Sequence, residues 1–283
     1  MVEIVKNRNR GKYTFANINL LGRCNANCYF CLGKDICDRL SGKNQLNVPF
    51  SEWKNFDLFL KRCKEEGIRK LYLTGQTADG LQYYRLEGLI RYLQDDCGFS
   101  VGVRTNGYLA KQKLKALEMM RDEIGFSIHT MSPKVNKLIM GREDMPDWDS
   151  LLRKFENTRV SIVLNRYNVG EFWTLMDFLS KYENVRYIQV RRICTETRTD
   201  LLQKDIDLYE TFFEGFSRAF EEYRIDDFYG AERYIVYGKE VNFWRTVETS
   251  VNSLNYFTDG TCSDNYFIVE GYCNNEGTAF GRK

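Results

Sequence analysis

Three cysteines stand within one short stretch of the sequence, at Cys24, Cys28 and Cys31, with three and then two residues between them. Thiolates are soft ligands that suit an iron–sulfur cluster or zinc, and three of them can wrap one cluster from a single loop. Three ligands on a four-iron cluster would leave one iron open to react, whereas a structural zinc site normally has four protein ligands. The spacing therefore favours a reactive iron–sulfur centre.

A structural zinc loop is the alternative interpretation of the same residues, with Cys37 as the fourth ligand. The five residues between Cys31 and Cys37 fit such a site poorly, and the chain has only one histidine, His129. A chance group of packed thiols is also disfavoured, because Arg23 and Asn25 make the loop polar. The chain has nine cysteines and no amino-terminal secretory signal, so we expect a cytoplasmic protein whose thiols serve metal binding or catalysis.

The composition sets the broad class of the protein. At 283 residues, with 43% hydrophobic and 28% charged residues, the chain can form one domain of roughly 200 residues with an extension. No stretch approaches the ~20 apolar residues of a membrane span. The net charge of +2 gives no general attraction to nucleic acid or to an anionic membrane. We therefore expect neither a membrane nor a nucleic-acid partner.

Short apolar strands alternate with amphipathic helices along most of the chain. The predicted strands are Tyr13–Leu21, Ile68–Leu73, Phe99–Val103, Ile124–Ile128, Val160–Leu164 and Val185–Val190. The predicted helices are Ser51–Glu66, Leu81–Leu93, Leu109–Met120, Trp148–Phe155, Glu171–Tyr182 and Asp205–Tyr223. This alternation indicates an α/β fold with a parallel sheet, and six units in series favour a partial (β/α)6 TIM-like barrel over a doubly wound sheet. In either fold the site lies at the carboxyl ends of the strands, and the cysteines directly follow the first strand.

The alternation of strands and helices ends near residue 224. We therefore expect a barrel core over residues 1–224 and a C-terminal extension over residues 225–283 that closes one end of the barrel. The extension is rich in Tyr, Phe, Asn and Gly, and Tyr266–Val269 is its predicted strand. We expect most of its aromatic residues to be core, and a few to keep water and oxygen from the site.

The cysteine motif resembles that of the radical SAM superfamily, in which C-x3-C-x2-C follows the first strand and an aromatic residue, here Phe30, precedes the third cysteine. The members most similar by eye are MoaA of molybdenum-cofactor synthesis and the peptide-maturing enzymes that share its core. The resemblance implies an oxygen-sensitive enzyme in which Cys24, Cys28 and Cys31 hold a [4Fe–4S] cluster whose open iron binds S-adenosylmethionine. One electron, from a donor such as flavodoxin or ferredoxin, would then give a 5′-deoxyadenosyl radical that removes a hydrogen atom from the substrate.

The same resemblance implies further contacts to S-adenosylmethionine. After the second predicted strand the family usually has Gly-Gly-Glu, which contacts the amino group of the ligand; this chain has Gln76 and Thr77 in place of the second Gly and the Glu. Ser127 stands at the family's Ser-x-Asp position, where His129 replaces the acid. The neighbours of S-adenosylmethionine that the resemblance implies are Phe30, Thr74, Gly75, Gln76, Thr77, Ser127 and Asn168.

Four arginines stand near the ends of predicted strands. They are either ordinary solvated charges or a basic mouth that grips the carboxylate of S-adenosylmethionine and an anionic substrate through paired N–H donors. These candidate substrate-binding residues are Arg104, Arg166, Arg191 and Arg192. Cys194 follows the sixth predicted strand and is a candidate catalytic hydrogen-atom donor, as thiols are in radical epimerases; a packed thiol is the other interpretation. Cys262 and Cys273, in the extension, are too few to hold a second cluster alone, although they could hold one together with Cys194 or Cys37.

The substrate stays open between two classes. The arginines favour a small anionic metabolite or a nucleotide, whereas the likeness to peptide-maturing enzymes and the position of Cys194 favour maturation or epimerisation of a ribosomal peptide. A hypothesis of a different class is a non-catalytic zinc- or iron-binding interaction protein. Iron content and the formation of 5′-deoxyadenosine distinguish the enzyme from this last alternative.

Overall fold

The computed structural model of the chain describes residues 13–35, 42–195, 197–228, 230–245 and 253–264. Its strands are β1 (Phe15–Leu20), β2 (Lys70–Gly75), β3 (Ser100–Thr105), β4 (Ile124–Ser127), β5 (Thr158–Val163), β6 (Val185–Arg191), β7 (Arg224–Phe228), β8 (Ala231–Val236), β9 (Lys239–Trp244), β10 (Ser253–Phe257) and β11 (Cys262–Ser263). Its α-helices are α1 (Phe56–Glu65), α2 (Leu86–Arg91), α3 (Leu114–Glu118), α4 (Pro133–Met140), α5 (Trp148–Lys154), α6 (Phe172–Ser180) and α7 (Thr199–Ala219). Cys37, Cys273 and the predicted strand Tyr266–Val269 lie outside the described residues.

All of these strands belong to one sheet, in the order β11-β10-β1-β2-β3-β4-β5-β6-β9-β8-β7. From β10 to β9 every neighbouring pair is parallel, and antiparallel strands lie at both edges. The six predicted strand–helix units therefore form consecutive parallel strands, which confirms the α/β fold class with its parallel sheet. Over the part of the chain that the structure describes, the sheet stays open rather than closing into a full barrel.

Two of the parallel strands come from the predicted C-terminal extension. β9 pairs with β6, and β10 pairs with β1, where Phe15 lies opposite Ser253. The extension thus adds strands to both sides of the six-strand series. The division of the chain at residue 224 into a core and an extension stays a prediction.

The two faces of the sheet differ along the central strand β5. On β5, Val160 and Ile162 are buried among the helices at 0% and 1% exposure, whereas Ser161 and Val163, which alternate with them, point to the opposite face and are partly exposed. Because side chains alternate along a strand, one face forms the core with the helices and the other is available for a site. We call the face opposite the helices the inner face.

Several helices differ in extent from the predictions. α1 begins at Phe56 rather than near Ser51, because Asn55 has a left-handed conformation with φ 59° and interrupts the turn before it. The predicted helix Leu109–Met120 is shortened to α3. The structure also contains α4, which was not predicted although Ser132 accepts a hydrogen bond as its N-cap and Gly141 ends it with φ 72°. None of the helices in the described ranges has the length and apolar composition needed to cross a membrane.

Candidate functional site

The three cysteines lie on the loop after β1, which we call the cysteine loop (residues 21–35). The N–H of Cys31 donates to the carbonyl of Cys28 at 3.2 Å, and the N–H of Lys34 donates to the carbonyl of Cys31 at 3.0 Å, which starts a short 3₁₀ turn. The sulfur of Cys24 accepts from the backbone N–H of Ala26 at 3.5 Å. The loop therefore folds back on itself at the carboxyl end of β1, and the thiols of Cys24, Cys28 and Cys31 lie within electrostatic range of one another.

The end of α4 holds one side of the cysteine loop through its backbone. The N–H of Asn27 donates to the carbonyl of Met140 at 2.9 Å, and the N–H of Tyr29 donates to the carbonyl of Ile139 at 3.1 Å. The last carbonyls of a helix have no partner inside the helix, so the loop satisfies groups that would otherwise need water. A Cβ at Gly141 would lie 3.1 Å from the Cβ of Asn27, so a glycine here also permits the close approach of the two segments.

Asn106 holds the same loop from the end of β3. Its side-chain amide donates to Asn25 Oδ1 at 2.8 Å and to the sulfur of Cys24 at 3.7 Å. Arg142, just after α4, donates to the carbonyl of Asn25 at 2.9 Å. Asn106 and the adjoining Thr105 are themselves fixed by the buried carboxylate of Asp79, which accepts from the backbone N–H of Asn106 at 2.7 Å.

Arg198, in the segment between β6 and α7, holds the loop from a third direction. Its guanidinium donates to the carbonyl of Tyr29 at 2.9 Å and to the carbonyl of Cys31 at 2.8 Å. Its Nε donates to Asp35, and the hydroxyl of Thr195 donates to the same carboxylate. The carboxylate side chain of Asp35 is 1% exposed, so this is a buried ion pair next to the predicted third cluster ligand. Arg198 is not among the residues that the sequence predicts, because only the tertiary structure brings this segment to the loop.

The segment after β2 lies directly against the cysteine loop, as the resemblance implies. A Cβ at Gly33 would lie 2.2 Å from the carbonyl oxygen of Gln76 and 3.3 Å from the sulfur of Cys31. A Cβ at Gly75 would lie 1.9 Å from the carbonyl of Ala78, so the turn after β2 requires glycine. The hydroxyl of Thr77 accepts from the N–H of Gly22 at 3.1 Å, which ties the two segments together.

The side chains at the end of β2 are mostly committed to protein contacts. Gln76 is 6% exposed and donates to Asn19 Oδ1 at 3.3 Å. Thr74 is 7% exposed, one residue before the end of the strand. The backbone oxygen of Gln76 and the sulfur of Cys31 both lie close to Gly33, whereas the side chain of Gln76 is committed to Asn19.

Ser127, His129 and Asn168 lie at the ends of β4 and β5. Ser127 is partly exposed on the inner face. His129 is 4% exposed, and its Nδ1 accepts from the backbone N–H of Val163 at 3.1 Å, so the proton of the neutral ring is assigned to Nε2. Asn168 is 2% exposed, and its amide donates to the carbonyls of His129 and Val163 at 2.9 and 3.0 Å. His129 and Asn168 therefore join the ends of two strands.

Burial decides the ionisation of these groups. Burial raises the pKa of Cys24 to about 11, and burial also raises the pKa values of Cys28 and Cys31. Burial lowers the pKa of His129 to about 4, so the ring is neutral at pH 7. Phe30 packs edge-on to the ring of His129 at 5.2 Å, which links the cysteine loop to the end of β4.

The donor set of the cysteine loop fits an iron–sulfur cluster. Within the described ranges, no three His, Cys, Asp or Glu side chains converge closely enough to bind one metal ion. A four-iron cluster takes each of its ligands on a different iron, so its thiolates need not converge on one point. Three half-buried thiols on one loop, with an amide and a backbone N–H at the sulfur of Cys24, are the soft donors that such a cluster requires.

The four predicted arginines lie at strand ends but point to different places. Arg166 forms a bidentate pair with Asp205 of α7, and Arg192 donates to Glu210 of the same helix at 2.7 Å. Both contacts are to a helix that packs on the outer side of the sheet. The other two, Arg104 and Arg191, occupy inner-face positions of β3 and β6.

Arg104 and Cys194 each contact a group within the protein. Arg104 donates to Glu123 at 2.6 Å, and its guanidinium lies 3.9 Å from the centre of the ring of Tyr72. Cys194 is half-buried, and its thiol donates to the carbonyl of Arg192 at 3.6 Å. The structure therefore leaves the predicted role of Cys194 as a prediction.

The comparison with known proteins agrees with this geometry. The sequence matches the model of the radical SAM superfamily over residues 18–208. An S-adenosylmethionine-dependent nucleotide dehydratase from a Thermoplasmatales archaeon (strain ISO4-H5) is 27% identical over 218 residues, which are 75% of this chain and 74% of the relative. A GTP 3′,8-cyclase from Aquifex aeolicus is 31% identical over 129 residues, which are 44% of this chain and 38% of the relative.

Solved structures show a similar fold. SuiB from Streptococcus suis bound to the precursor peptide SuiA has a TM-score of 0.63 and 13% identity, covering 92% of this chain and 61% of that chain. SuiB bound to S-adenosylmethionine has a TM-score of 0.62 and 14% identity, covering 96% and 61% of the two chains. At this level of identity the likeness shows the fold alone.

Proposed function

The chain belongs to the radical SAM superfamily and is an enzyme that uses a [4Fe–4S] cluster and S-adenosylmethionine, and we propose that it removes a hydrogen atom from a small anionic metabolite or a nucleotide. When bound, these cofactors supply a 5′-deoxyadenosyl radical, which can react at an unactivated carbon. One observation carries the proposal: the three thiols lie at the carboxyl end of β1, and the inner face beside them bears arginines. The non-catalytic interpretation of the cysteines is set aside.

We assign Cys24, Cys28 and Cys31 as the ligands of the cluster. Their loop is held by α4, by Asn106 and by Arg198, so the thiols are positioned before a metal arrives. Burial favours the protonated form of the three thiols, so loading the cluster releases protons from them.

We assign the neighbours of S-adenosylmethionine to the strand ends around the cysteine loop. The backbone oxygen of Gln76, close to Cys31, can accept from the ammonium group of the ligand in place of the family's glutamate. Ser127 offers a hydroxyl on the partly exposed inner face. Phe30 offers an apolar surface beside the cluster. The side chains of Thr77 and Asn168 contribute by holding the backbone in place. Gly75 permits the close turn after β2, and Thr74 is buried just before it.

A nucleotide or another small anionic metabolite is the substrate class that the site favours. Arg104 and Arg191 place positive charge on the inner face, where paired N–H donors can bind phosphate or carboxylate. Two relatives are named for reactions of nucleotides. Arg166 and Arg192 support α7 in this proposal, since each pairs with a carboxylate of that helix.

Modification of a ribosomal peptide is the second candidate function. The fold likeness to SuiB extends over most of this chain, and the thiol of Cys194 follows β6 at the carboxyl edge of the sheet, where a hydrogen donor would stand. The inner-face arginines carry more weight, because a peptide backbone gives them no anion to bind.

The electron donor, the cellular compartment and the role of the C-terminal extension complete the proposed function. We propose that a reduced flavodoxin or ferredoxin supplies the electron, that the enzyme works in the cytoplasm, and that the C-terminal extension over residues 225–283 closes one end of the barrel. The thiol-rich sequence suits a reducing compartment.

Substrate-dependent hydrogen transfer tests the proposed function. The anaerobically loaded enzyme, with reductant and S-adenosylmethionine, is given a panel of deuterated nucleotides and, separately, short deuterated peptides. We expect a nucleotide to raise the formation of 5′-deoxyadenosine and to pass deuterium into it. Deuterium transfer from peptides alone would overturn the substrate class in favour of peptide modification.

A further inference from the structure

We propose that Arg159, on the inner face of β5, is the centre of a binding site for a phosphate group of the substrate. The inference rests on the proposed function, because it assumes that the substrate occupies the inner face. It goes beyond it by naming the recognised group and the residue that binds it, Arg159, whose guanidinium is positioned by Gln189 and Glu123.

The guanidinium of Arg159 lies across the inner face at the level of Gly125. A Cβ at Gly125 would lie 2.9 Å from Arg159 Nη2 and 3.0 Å from the Cδ of Arg104, so the two arginines occupy the space that the glycine leaves. Nη1 of Arg159 donates to the side-chain oxygen of Gln189. The side chain of Arg159 is 9% exposed, which leaves it little water with which to satisfy its charge.

The hydrogen bonds of Arg159 are incomplete. Its Nε lies 3.3 Å from Glu123 Oε1, within the range of an ion pair, yet this buried donor makes no hydrogen bond. Glu123 instead accepts from Arg104 at 2.6 Å. Buried donors in folded proteins nearly always have a partner, so an unsatisfied guanidinium N–H points to an acceptor that arrives from outside the protein.

The charges around Arg159 do not balance. Arg104 and Arg159 share the single carboxylate of Glu123, so this group carries an excess positive charge. Burial lowers the pKa of Arg159, and the nearby cations Arg104 and Arg191 lower it further. Arginine nevertheless keeps its proton in proteins, so the excess charge remains and favours an anionic ligand.

Small residues lie on the inner face between Arg159 and the carboxyl ends of β4 and β5. Above Arg159 on the same face of the sheet lie Ser127 and Ser161, which face each other across β4 and β5 and are both partly exposed. Arg159 is four residues before the end of β5 at Val163, which corresponds to about 13 Å along the strand. A phosphate at Arg159 would therefore be remote from the reacting carbon near the cluster, as it is in a nucleoside phosphate.

Pyrophosphate binding tests this site directly. The cluster-loaded enzyme is saturated with S-adenosylmethionine, so that the carboxylate site of that ligand is filled, and pyrophosphate binding is measured by anaerobic calorimetry. We expect Arg159→Gln to weaken binding at least tenfold, because a charge-assisted pair is lost, and Arg159→Lys to fall between Gln and the wild type. Arg233→Gln is the control. Arg233 of β8 pairs with Asp226 of β7 and Glu240 of β9, so its substitution should change the affinity less than twofold.

Glu123→Gln separates a binding role from a structural one. Removing the carboxylate that competes for the two arginines should tighten pyrophosphate binding several-fold, whereas a purely structural network would be weakened by either substitution. Equal affinity in the wild type and Arg159→Gln, or weaker binding in Glu123→Gln, overturns the site. The proposed function is tested separately by the 5′-deoxyadenosine that the wild type forms from S-adenosylmethionine alone, which the control Arg233→Gln should retain within twofold.

Discussion

The outer face of the parallel strands packs against the helices, whereas the inner face of the same strands carries partly exposed polar residues. On β4 to β6 the outward residues Phe126, Val160 and Ile188 are each 0% exposed and pack among the helices. The inward residues between them include Ser127, Ser161 and Tyr187, which are partly exposed. Parallel strands that are buried on both faces read as continuous apolar runs. The polar alternation here therefore marks the face that the fold leaves open for chemistry.

The largest expected loss of stability comes from a substitution on the outer face of the sheet. Phe126→Ala removes a fully buried ring and should lower the free energy of unfolding by about 3–5 kcal/mol. Ser161→Ala, on the inner face of the neighbouring strand, should change it by less than about 0.5 kcal/mol. Urea unfolding under anaerobic, reducing conditions measures both. Similar losses in the two variants would show that the inner face is also core.

A second prediction concerns the attachment of the cysteine loop. Arg198→Gln removes the cation that pairs with the buried carboxylate of Asp35, and should lower the free energy of unfolding by about 3 kcal/mol. The variant should also lose iron to a chelator faster, because two hydrogen bonds to backbone carbonyls of the cysteine loop are lost. The control is Arg153→Gln. The ion pair of Arg153 with Asp149 is exposed, so its loss should lower the free energy of unfolding by no more than about 0.5 kcal/mol. Iron loss at the wild-type rate in Arg198→Gln would contradict the assigned contact.

The smallest expected effect comes from the neutral histidine at the end of β4. The pKa of His129 is about 4 in the folded chain because of burial, against 6.5 as the ordinary value, so the unfolded state binds the proton first as the pH falls. Stability should therefore be complete above pH 6.5 and be lost towards pH 4, by about 1.4 kcal/mol between pH 7.5 and 5.5.

His129→Gln isolates this titration. Glutamine does not ionise. The difference in unfolding free energy between wild type and variant should therefore be about 1.4 kcal/mol smaller at pH 5.5 than at pH 7.5. The contributions of the other titrating groups cancel in this difference. Denaturant unfolding at the two pH values measures it. A gap that is equal at both values would show that the ring is protonated or exposed.

Sequence alone predicted the parts of the site that depend on local spacing. The cysteine motif, the alternation of strands and helices, and the segment at Gly75 all require neighbours in the chain, and the structure places that segment against the cysteine loop. α4 also had local signals in Ser132 and Gly141 that were overlooked.

The contacts between distant segments could not be predicted in this way. β10 pairs with β1 across more than two hundred residues, and Arg198 reaches the cysteine loop only in the folded chain. Arg166 and Arg192 were placed correctly at strand ends, yet their direction depends on Asp205 and Glu210 of a later helix. The sequence indicates how far along a strand a residue lies. Which side chain it contacts depends on how distant elements pack in the folded chain.

The central claim is that three thiols hold a cluster that supports reductive cleavage of S-adenosylmethionine. The most direct measurement compares iron content and 5′-deoxyadenosine formation in the anaerobically reconstituted wild type, Cys28→Ala and the control Cys97→Ala, a half-buried cysteine away from the loop. We expect about four iron atoms per chain and nucleoside product in the wild type and the control, and loss of both in Cys28→Ala. Full iron content and undiminished product in Cys28→Ala would contradict the account.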